Sequence, residues 1–82
     1  MNGTSSAAVR ILFVDDADDF RNPEAELLRL DHGYVVDEAC SAVEALALAR
    51  QPGQSYQVAL IDQVLEGPMD GIELMQALRT IH

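Results

Sequence analysis

Two short apolar runs that end on aspartate dominate the hydrophobic pattern of this chain. Residues 11–14 are followed by Asp15 and Asp16, and Val58–Ile61 is followed by Asp62. Uninterrupted apolar runs of this length are typical of strands that are covered on both faces, as in parallel sheets. We therefore predict a first strand at residues 9–14, and a central strand at Val58–Ile61 that is buried on both faces.

The segment between these strands predicts two helices and one more strand. An acidic loop at residues 15–19 leads into a helix that ends at His32-Gly33. Because proline disrupts a helix interior, we expect this helix to begin late, at Pro23 with Asn22 before it, or to kink there after a short turn. The more polar residues 34–39 predict a second strand, nearer a sheet edge.

Two further helices follow from capping and periodicity. A capping box at residues 41–44, with sequence SAVE, predicts a second helix that extends to Arg50-Gln51. Residues 72–81 predict a third helix, whose apolar stripe contains Ile72, Met75, Leu78 and Leu74. The resulting β-α-β-α-β-α order indicates an α/β domain with a parallel sheet and right-handed crossovers. We expect residues 1–8 to be a disordered leader and residues 9–82 to be the domain.

The charge balance narrows the class of partner. Fourteen acidic residues face five basic ones, all of them arginine, and the formal net charge is −9. This charge argues against nucleic acid or an anionic membrane, and it favours divalent cations or a basic partner surface. The single Cys40 excludes an internal disulfide. Because no apolar run could span a bilayer and no signal segment opens the chain, we expect a cytoplasmic protein.

The aspartates at the strand ends are the strongest candidates for a functional site. If the two strands are parallel neighbours, Asp15, Asp16 and Asp62 converge at the carboxyl edge of the sheet, where ligands bind in such folds. Carboxylates held close together repel each other, and Mg²⁺ prefers oxygen ligands of this kind. Asp62 could also attack a phosphoryl group and form an acyl phosphate. Arg21 is the basic residue near the acidic loop, and it could contact phosphate oxygens.

Three segments together resemble the receiver domain of two-component response regulators: ILFVDD, GYVVDEACSAVEALALA and VALIDQVLEGPMDGIELMQALR. The resemblance implies a flavodoxin-like, doubly wound parallel sheet with strand order 2-1-3. It also implies that Asp62 is the phospho-acceptor, and that Asp15, Asp16 and Asp62 bind Mg²⁺ together with the backbone carbonyl of Val64. A sensor histidine kinase would donate the phosphoryl group, so that the chain is a signalling module and not an enzyme.

The chain departs from the family pattern in three places. The loop at residues 65–71 has one extra residue and a shifted proline, and Pro23 lies in the first helix. The chain also stops after the third helix, so we expect a truncated receiver that is impaired in phosphorylation and switching. An unpaired apolar edge at Val58–Ile61 would be a template for another chain, which predicts a homodimer or a domain-swapped oligomer.

Two alternatives remain open at this point. The chain could be a pseudo-receiver that acts in assembly and is never phosphorylated. It could also resemble a haloacid-dehalogenase-like phosphohydrolase, with Asp16-Ala17-Asp18 as the nucleophile motif. That motif requires threonine or valine where Phe20 stands, and the chain contains no lysine, so this alternative ranks last.

Overall fold

Strands and helices alternate along the part of the chain that the computed structural model describes, which comprises residues 9–53, 55–62, 65, 67 and 69–80. In chain order the elements are β1 (Arg10–Val14), α1 (Asp18–His32), β2 (Val35–Ala39), α2 (Ala42–Ala49), β3 (Val58–Ile61) and α3 (Gly71–Arg79). The predicted alternation is confirmed. The predicted leader at residues 1–8 lies outside the described residues. In the described part of the chain, no helix has the length and apolar character needed to cross a membrane.

The strands form a parallel sheet in the order β2-β1-β3, as predicted. Val14 at the end of β1 is in register with Ala39 of β2 and with Ile61 of β3. All three strands therefore end at the same edge. Residues 11–14 of the central β1 are buried, which explains their uninterrupted apolar run.

Side chains alternate between the two faces of the sheet along each strand, and helices pack on both faces. Ile11 and Phe13 pack with Ala25 and Leu28 of α1. Leu12 and Val14 pack in a second cluster that contains residues of α2 and α3. The result is a doubly wound fold that holds the carboxyl ends of β1 and β3 side by side.

The prediction that β3 is buried on both faces was wrong. Val58 and Leu60 remain 40% and 39% exposed. The cause is their position: β3 pairs with β1 along one side, and no strand among the described residues pairs with it along the other. The run VALI therefore has the composition of a central strand and the place of an edge strand.

The predicted late start of α1 was also wrong. The helix begins at Asp18, and the amides of Phe20 and Arg21 donate hydrogen bonds to the carbonyl of Ala17 at 3.1 and 2.8 Å. Pro23 lies inside the helix and cannot donate a backbone hydrogen bond. The turn before Pro23 is stabilised by tertiary contacts of Arg21, described below. The helix ends as predicted, at Gly33, whose φ of 68° is readily accessible to glycine.

Side-chain caps fix the starts of the other two helices. Ser41 accepts a hydrogen bond from the amide of Glu44 at 3.1 Å, and the Glu44 carboxylate accepts one from the amide of Cys40 at 2.8 Å. The predicted cap of α2 is therefore present, with its second half one residue earlier than in a standard capping box. In α3 a full capping box joins Asp70 and Glu73, with bonds of 2.9 and 3.1 Å.

The apolar stripe predicted for α3 is partly wrong. Leu74 and Leu78 are buried, but Ile72 and Met75 are 53% and 47% exposed. The cap at Asp70 starts the helix at Gly71, and the helix turns its i, i+4 leucine pair towards the cluster it shares with α2. From the helical period of 3.6 residues, Met75 lies on the flank of this contact face and Ile72 lies towards its opposite side.

Candidate functional site

Backbone hydrogen bonds hold Asp15 and Asp62 in place just beyond the ends of their strands. The amide of Asp62 donates to the carbonyl of Val14 at 3.0 Å, and the amide of Asp15 donates to the carbonyl of Ala39 at 3.1 Å. Each aspartate is therefore held to a neighbouring strand at the point where its own strand ends. This is the carboxyl edge, where open α/β sheets bind their ligands.

The three predicted site carboxylates converge. Asp15, Asp16 and Asp62 each present a carboxylate oxygen, and these oxygens lie within 4.8 Å of one another. Asp16 is exposed and Asp62 is partly buried, so solvent reaches the cluster. Two like charges about 4 Å apart repel by about 1 kcal/mol in water, and by about 4 kcal/mol near a protein surface. A hard divalent cation would reverse this repulsion, and an all-oxygen donor set suits Mg²⁺.

The loop between β1 and α1 is turned by one of the site residues itself. The Oδ1 atom of Asp15 accepts a hydrogen bond from the amide of Ala17 at 2.9 Å. Aspartate often stabilises a turn through such a bond to the backbone two residues later. The orientation of the Asp15 carboxylate is therefore coupled to the path of the chain through Asp16.

Arg21 has a place that the sequence analysis did not predict. It is 7% exposed and is the buried charged residue of the described part of the chain. Its Nη1 donates to the backbone carbonyl of Asp15, and its Nε donates to Glu38 at 3.0 Å. Its Nη2 lies 2.8 Å from Asp18 and 3.2 Å from Asn22. The described hydrogen bonds of Arg21 thus go to the protein itself, so the expectation that it contacts phosphate oxygens has no support in this geometry.

The electrostatics of Arg21 follow from these partners. Burial by itself would lower the pKa of the Arg21 guanidinium, but hydrogen bonds and charge attraction from Glu38 and Asp18 outweigh burial, and the pKa is raised. Glu38 also accepts from Arg29 at 3.1 Å. The Arg21–Asp18 spacing of three residues is visible in the sequence, whereas the contact with Glu38 depends on how α1 lies on β2.

The comparison with known families shows to which family the chain belongs. Residues 11–82 match the family described as the response regulator receiver domain. The chain belongs to this family.

Relatives of this receiver domain agree in sequence and in fold. The chain is 35% identical over 77 residues to a protein named sensor kinase CckA from Brucella abortus (strain 2308), covering 94% of this chain and 8% of that protein. A CheY-like receiver domain protein from Methanospirillum hungatei JF-1 superposes with a TM-score of 0.82 at 30% identity. Chemotaxis protein CheY4 from Vibrio cholerae superposes with a TM-score of 0.76 at 34% identity.

These relatives confirm the predicted fold and family, and they differ from this chain in length. The superpositions cover 93% and 90% of this chain, and 58% of each of the two CheY-like structures. The receiver domain described here therefore corresponds to somewhat more than half of those relatives. Its strand order and its two helical layers are those of a CheY-like fold.

Val64, whose backbone carbonyl is a predicted ligand, lies outside the described residues, as do Glu66 and Pro68 of the unusual loop. Asp18, which the phosphohydrolase alternative required as part of its motif, begins α1 and forms an ion pair with Arg21. Together with the family match, this position leaves the phosphohydrolase alternative without support.

Proposed function

We propose that this receiver domain is a phospho-acceptor module of a two-component response regulator, with Asp62 as the acceptor. The observation behind this proposal is the convergence of Asp62 with Asp15 and Asp16 at the carboxyl edge, with their oxygens within 4.8 Å. The donor would be the phosphohistidine of a sensor histidine kinase. The likeness to a protein named as a sensor kinase supports a partner of this class.

The residues present fit a magnesium site. Asp15, Asp16 and Asp62 would hold the ion through carboxylate oxygens, and the predicted backbone carbonyl of Val64 would complete the protein ligands. When bound, Mg²⁺ supplies positive charge that offsets the carboxylates and the oxygens of the transferring phosphoryl group. Metal binding and phosphorylation are therefore proposed as two uses of one site.

The position and partial burial of Asp62 support its proposed role as the nucleophile. Its backbone is held to Val14 at 3.0 Å, and its side chain is partly buried at an edge that solvent reaches. In the proposed step a carboxylate oxygen of Asp62 attacks phosphorus while the P–N bond to the donor imidazole breaks. The imidazole leaves with the bonding electron pair and takes up a proton, and Asp62 becomes an acyl phosphate.

We propose that the remaining partners follow from the charge. The net charge of −9 favours a basic kinase surface over nucleic acid or an anionic membrane, and a cytoplasmic location suits such a partner.

The test is phosphorylation by a small donor. The protein is incubated with Mg²⁺ and phosphoramidate, and its intact mass is measured over time. We expect one phosphoryl adduct, which is absent in Asp62→Asn and is retained in Asp31→Asn. Asp31 is a matched control because it is an exposed aspartate near the opposite end of α1. An adduct that persists in Asp62→Asn, or none on the unmodified chain, would contradict the proposal.

A second proposed function is assembly through β3, without phosphotransfer. It is favoured by the 40% and 39% exposure of Val58 and Leu60 on a strand that pairs on one side among the described residues. Exposed apolar edges of this kind pair with other chains, which suggests a homodimer or an exchange of elements. Light scattering across a dilution series should show a dimer that Leu60→Arg weakens and Leu30→Arg, on the exposed surface of α1, does not. A monomer at every concentration would exclude it.

A further inference from the structure

Arg21 joins three separate segments that surround the acidic cluster. Its guanidinium contacts the β1–α1 loop at the carbonyl of Asp15, the first turn of α1 at Asp18, and β2 at Glu38. A buried arginine is strongly unfavourable unless its charge and its N–H groups find partners. All of these partners lie at this end of the domain. Their contacts hold the Arg21 side chain in place, and the Arg21 side chain links the three segments to one another.

The contact with Asp15 is the one that bears on the cluster. The carbonyl that Arg21 holds belongs to the peptide group that joins Asp15 to Asp16, so holding it sets the direction in which the chain leaves for Asp16. Glu38 orients the guanidinium from the other side, and Glu38 is itself held by Arg29 at 3.1 Å. The planar fork of arginine keeps these directions fixed, which a lysine ammonium would not do.

We propose that Arg21 is a positioning residue for the cation site, and that it places the Asp15–Asp16 pair relative to Asp62 through the Asp15 carbonyl. This inference rests on the proposed magnesium site. The direction in which Mg²⁺ affinity changes when Arg21 is removed distinguishes two roles for this residue. If Arg21 acted only as a nearby positive charge, its removal would tighten Mg²⁺ binding, because a repulsive cation is lost. If it positions the ligands, its removal weakens Mg²⁺ binding.

The experiment compares two arginines that share one carboxylate. Arg21 and Arg29 both pair with Glu38, but the other contacts of Arg29 are Glu26 and the carbonyl of Val36, away from the acidic loop. The Mg²⁺ dissociation constant of the full chain is measured by titration calorimetry for the unmodified protein, Arg21→Met and Arg29→Met. We expect Arg21→Met to weaken binding about 10–100-fold, as loss of supporting contacts around metal ligands commonly does, and Arg29→Met to change it little.

A second readout does not depend on the metal. In the metal-free protein, the amide of Ala17 is bonded to Asp15 Oδ1, and its hydrogen exchange reports the order of the loop. We expect faster exchange at Ala17 in Arg21→Met than in Arg29→Met. If the unmodified chain binds no Mg²⁺, the proposed site fails, and the exchange rate at Ala17 still decides whether Arg21 orders the loop.

Arg21→Lys guards against a failure to fold, which circular dichroism would reveal. It keeps the charge and loses the fork, so we expect it to weaken Mg²⁺ binding in the same direction as Arg21→Met. Three results would overturn the inference: unchanged or tighter Mg²⁺ binding in a folded Arg21 variant, equal weakening in Arg29→Met, or unchanged exchange at Ala17.

Discussion

The charged groups at the two ends of the sheet are arranged differently. At the carboxyl end, the oxygens of three aspartates lie within 4.8 Å of one another. At the amino end, opposite charges and polar groups are paired: Arg10 Nε lies 3.6 Å from Asp37, and the Tyr56 hydroxyl donates to Asp37 at 2.5 Å. The carboxyl end gathers three carboxylates beside the buried Arg21, and the amino end pairs Arg10 with Asp37.

The amino end also ties β1 to the segment that enters β3. The Arg10 amide donates to the Gln57 side chain at 2.7 Å, and the Gln57 amide donates to the Arg10 carbonyl at 2.9 Å. The Arg10 guanidinium lies 5.9 Å from the centre of the Tyr56 ring, within cation–π range. Because the same two strands carry Asp15 and Asp62 at their other ends, this paired end helps to hold the register on which the acidic end depends.

Under the proposed function, the amino end of these strands stabilises the fold, and the carboxyl end binds a cation. Paired groups at the amino end gain from being folded together. The acidic end brings like charges together on folding, which costs free energy that a bound cation would return. Substitutions at the two ends should therefore differ in their effects on the free energy of unfolding and on Mg²⁺ binding.

The largest effect concerns Mg²⁺ and the acidic end. We expect Mg²⁺ at about 100 times its dissociation constant to raise the free energy of unfolding by about 2.7 kcal/mol. Asp16→Asn should remove most of this gain, because it removes one of the charged ligands. Urea unfolding with and without Mg²⁺ measures it. Tyr56→Phe, at the other end, should keep the full gain in the free energy of unfolding. A smaller gain in Tyr56→Phe would show that the two ends are not independent.

The next effect concerns the amino end alone. Tyr56→Phe removes the hydroxyl that donates to Asp37 at 2.5 Å. Hydrogen bonds to charged groups contribute about 1.5–3 kcal/mol, and partial solvent exposure places Tyr56 near the lower end of this range. We expect the free energy of unfolding to fall by about 1.5 kcal/mol in urea, with the Mg²⁺ dissociation constant unchanged. A parallel change in Mg²⁺ binding would show that the ends are not separable.

Much of the acidic end was predictable from sequence, because the rules involved are local. An apolar run that ends on aspartate places Asp62 one residue beyond its strand, and the same holds for Asp15. The alternation of elements then makes β1 and β3 parallel, so that both ends meet at one edge. The β1–β3 pairing confirms this step directly, with Val14 opposite Ile61.

The errors arise where a distant contact overrides a local preference. Pro23 favoured a late helix start, but the buried Arg21 and its partners on β2 stabilise the turn before it. Arg21 was considered as a contact for phosphate oxygens, since nothing in its neighbourhood along the chain reveals Glu38. Leu60 is of a residue type that is common in protein cores, but its exposure depends on which strands flank β3.

Alkaline pH should weaken the contact between Tyr56 and Asp37 at the amino end without a substitution. Burial and the hydrogen bond to Asp37 raise the pKa of Tyr56 from 10.0 to about 12. The raised pKa means that the unfolded chain loses this proton first. The stabilisation is therefore complete below pH 10 and is lost as pH rises from 10 to 12. We expect the free energy of unfolding to fall across this window, and the part of that fall due to Tyr56 to be absent in Tyr56→Phe. The chain has no lysine to titrate in the same range. Identical pH profiles would refute the assignment.

The smallest effect has the opposite sign and separates the two ends most clearly. Without Mg²⁺, Asp62→Asn removes one like charge from the cluster while keeping the shape and polar atoms of the side chain. We expect the free energy of unfolding to rise by about 1 kcal/mol at low ionic strength, as Coulomb repulsion at about 4 Å in water suggests. The gain should shrink in salt, because solvent reaches the cluster and salt screens its charges, and Asp31→Asn should show no comparable gain. The same substitution removes the proposed acceptor, so a gain in stability would accompany a loss of function. If Asp62→Asn instead lowers the stability of the metal-free protein, the cluster is not repulsive, and the contrast between the two ends of the sheet does not hold.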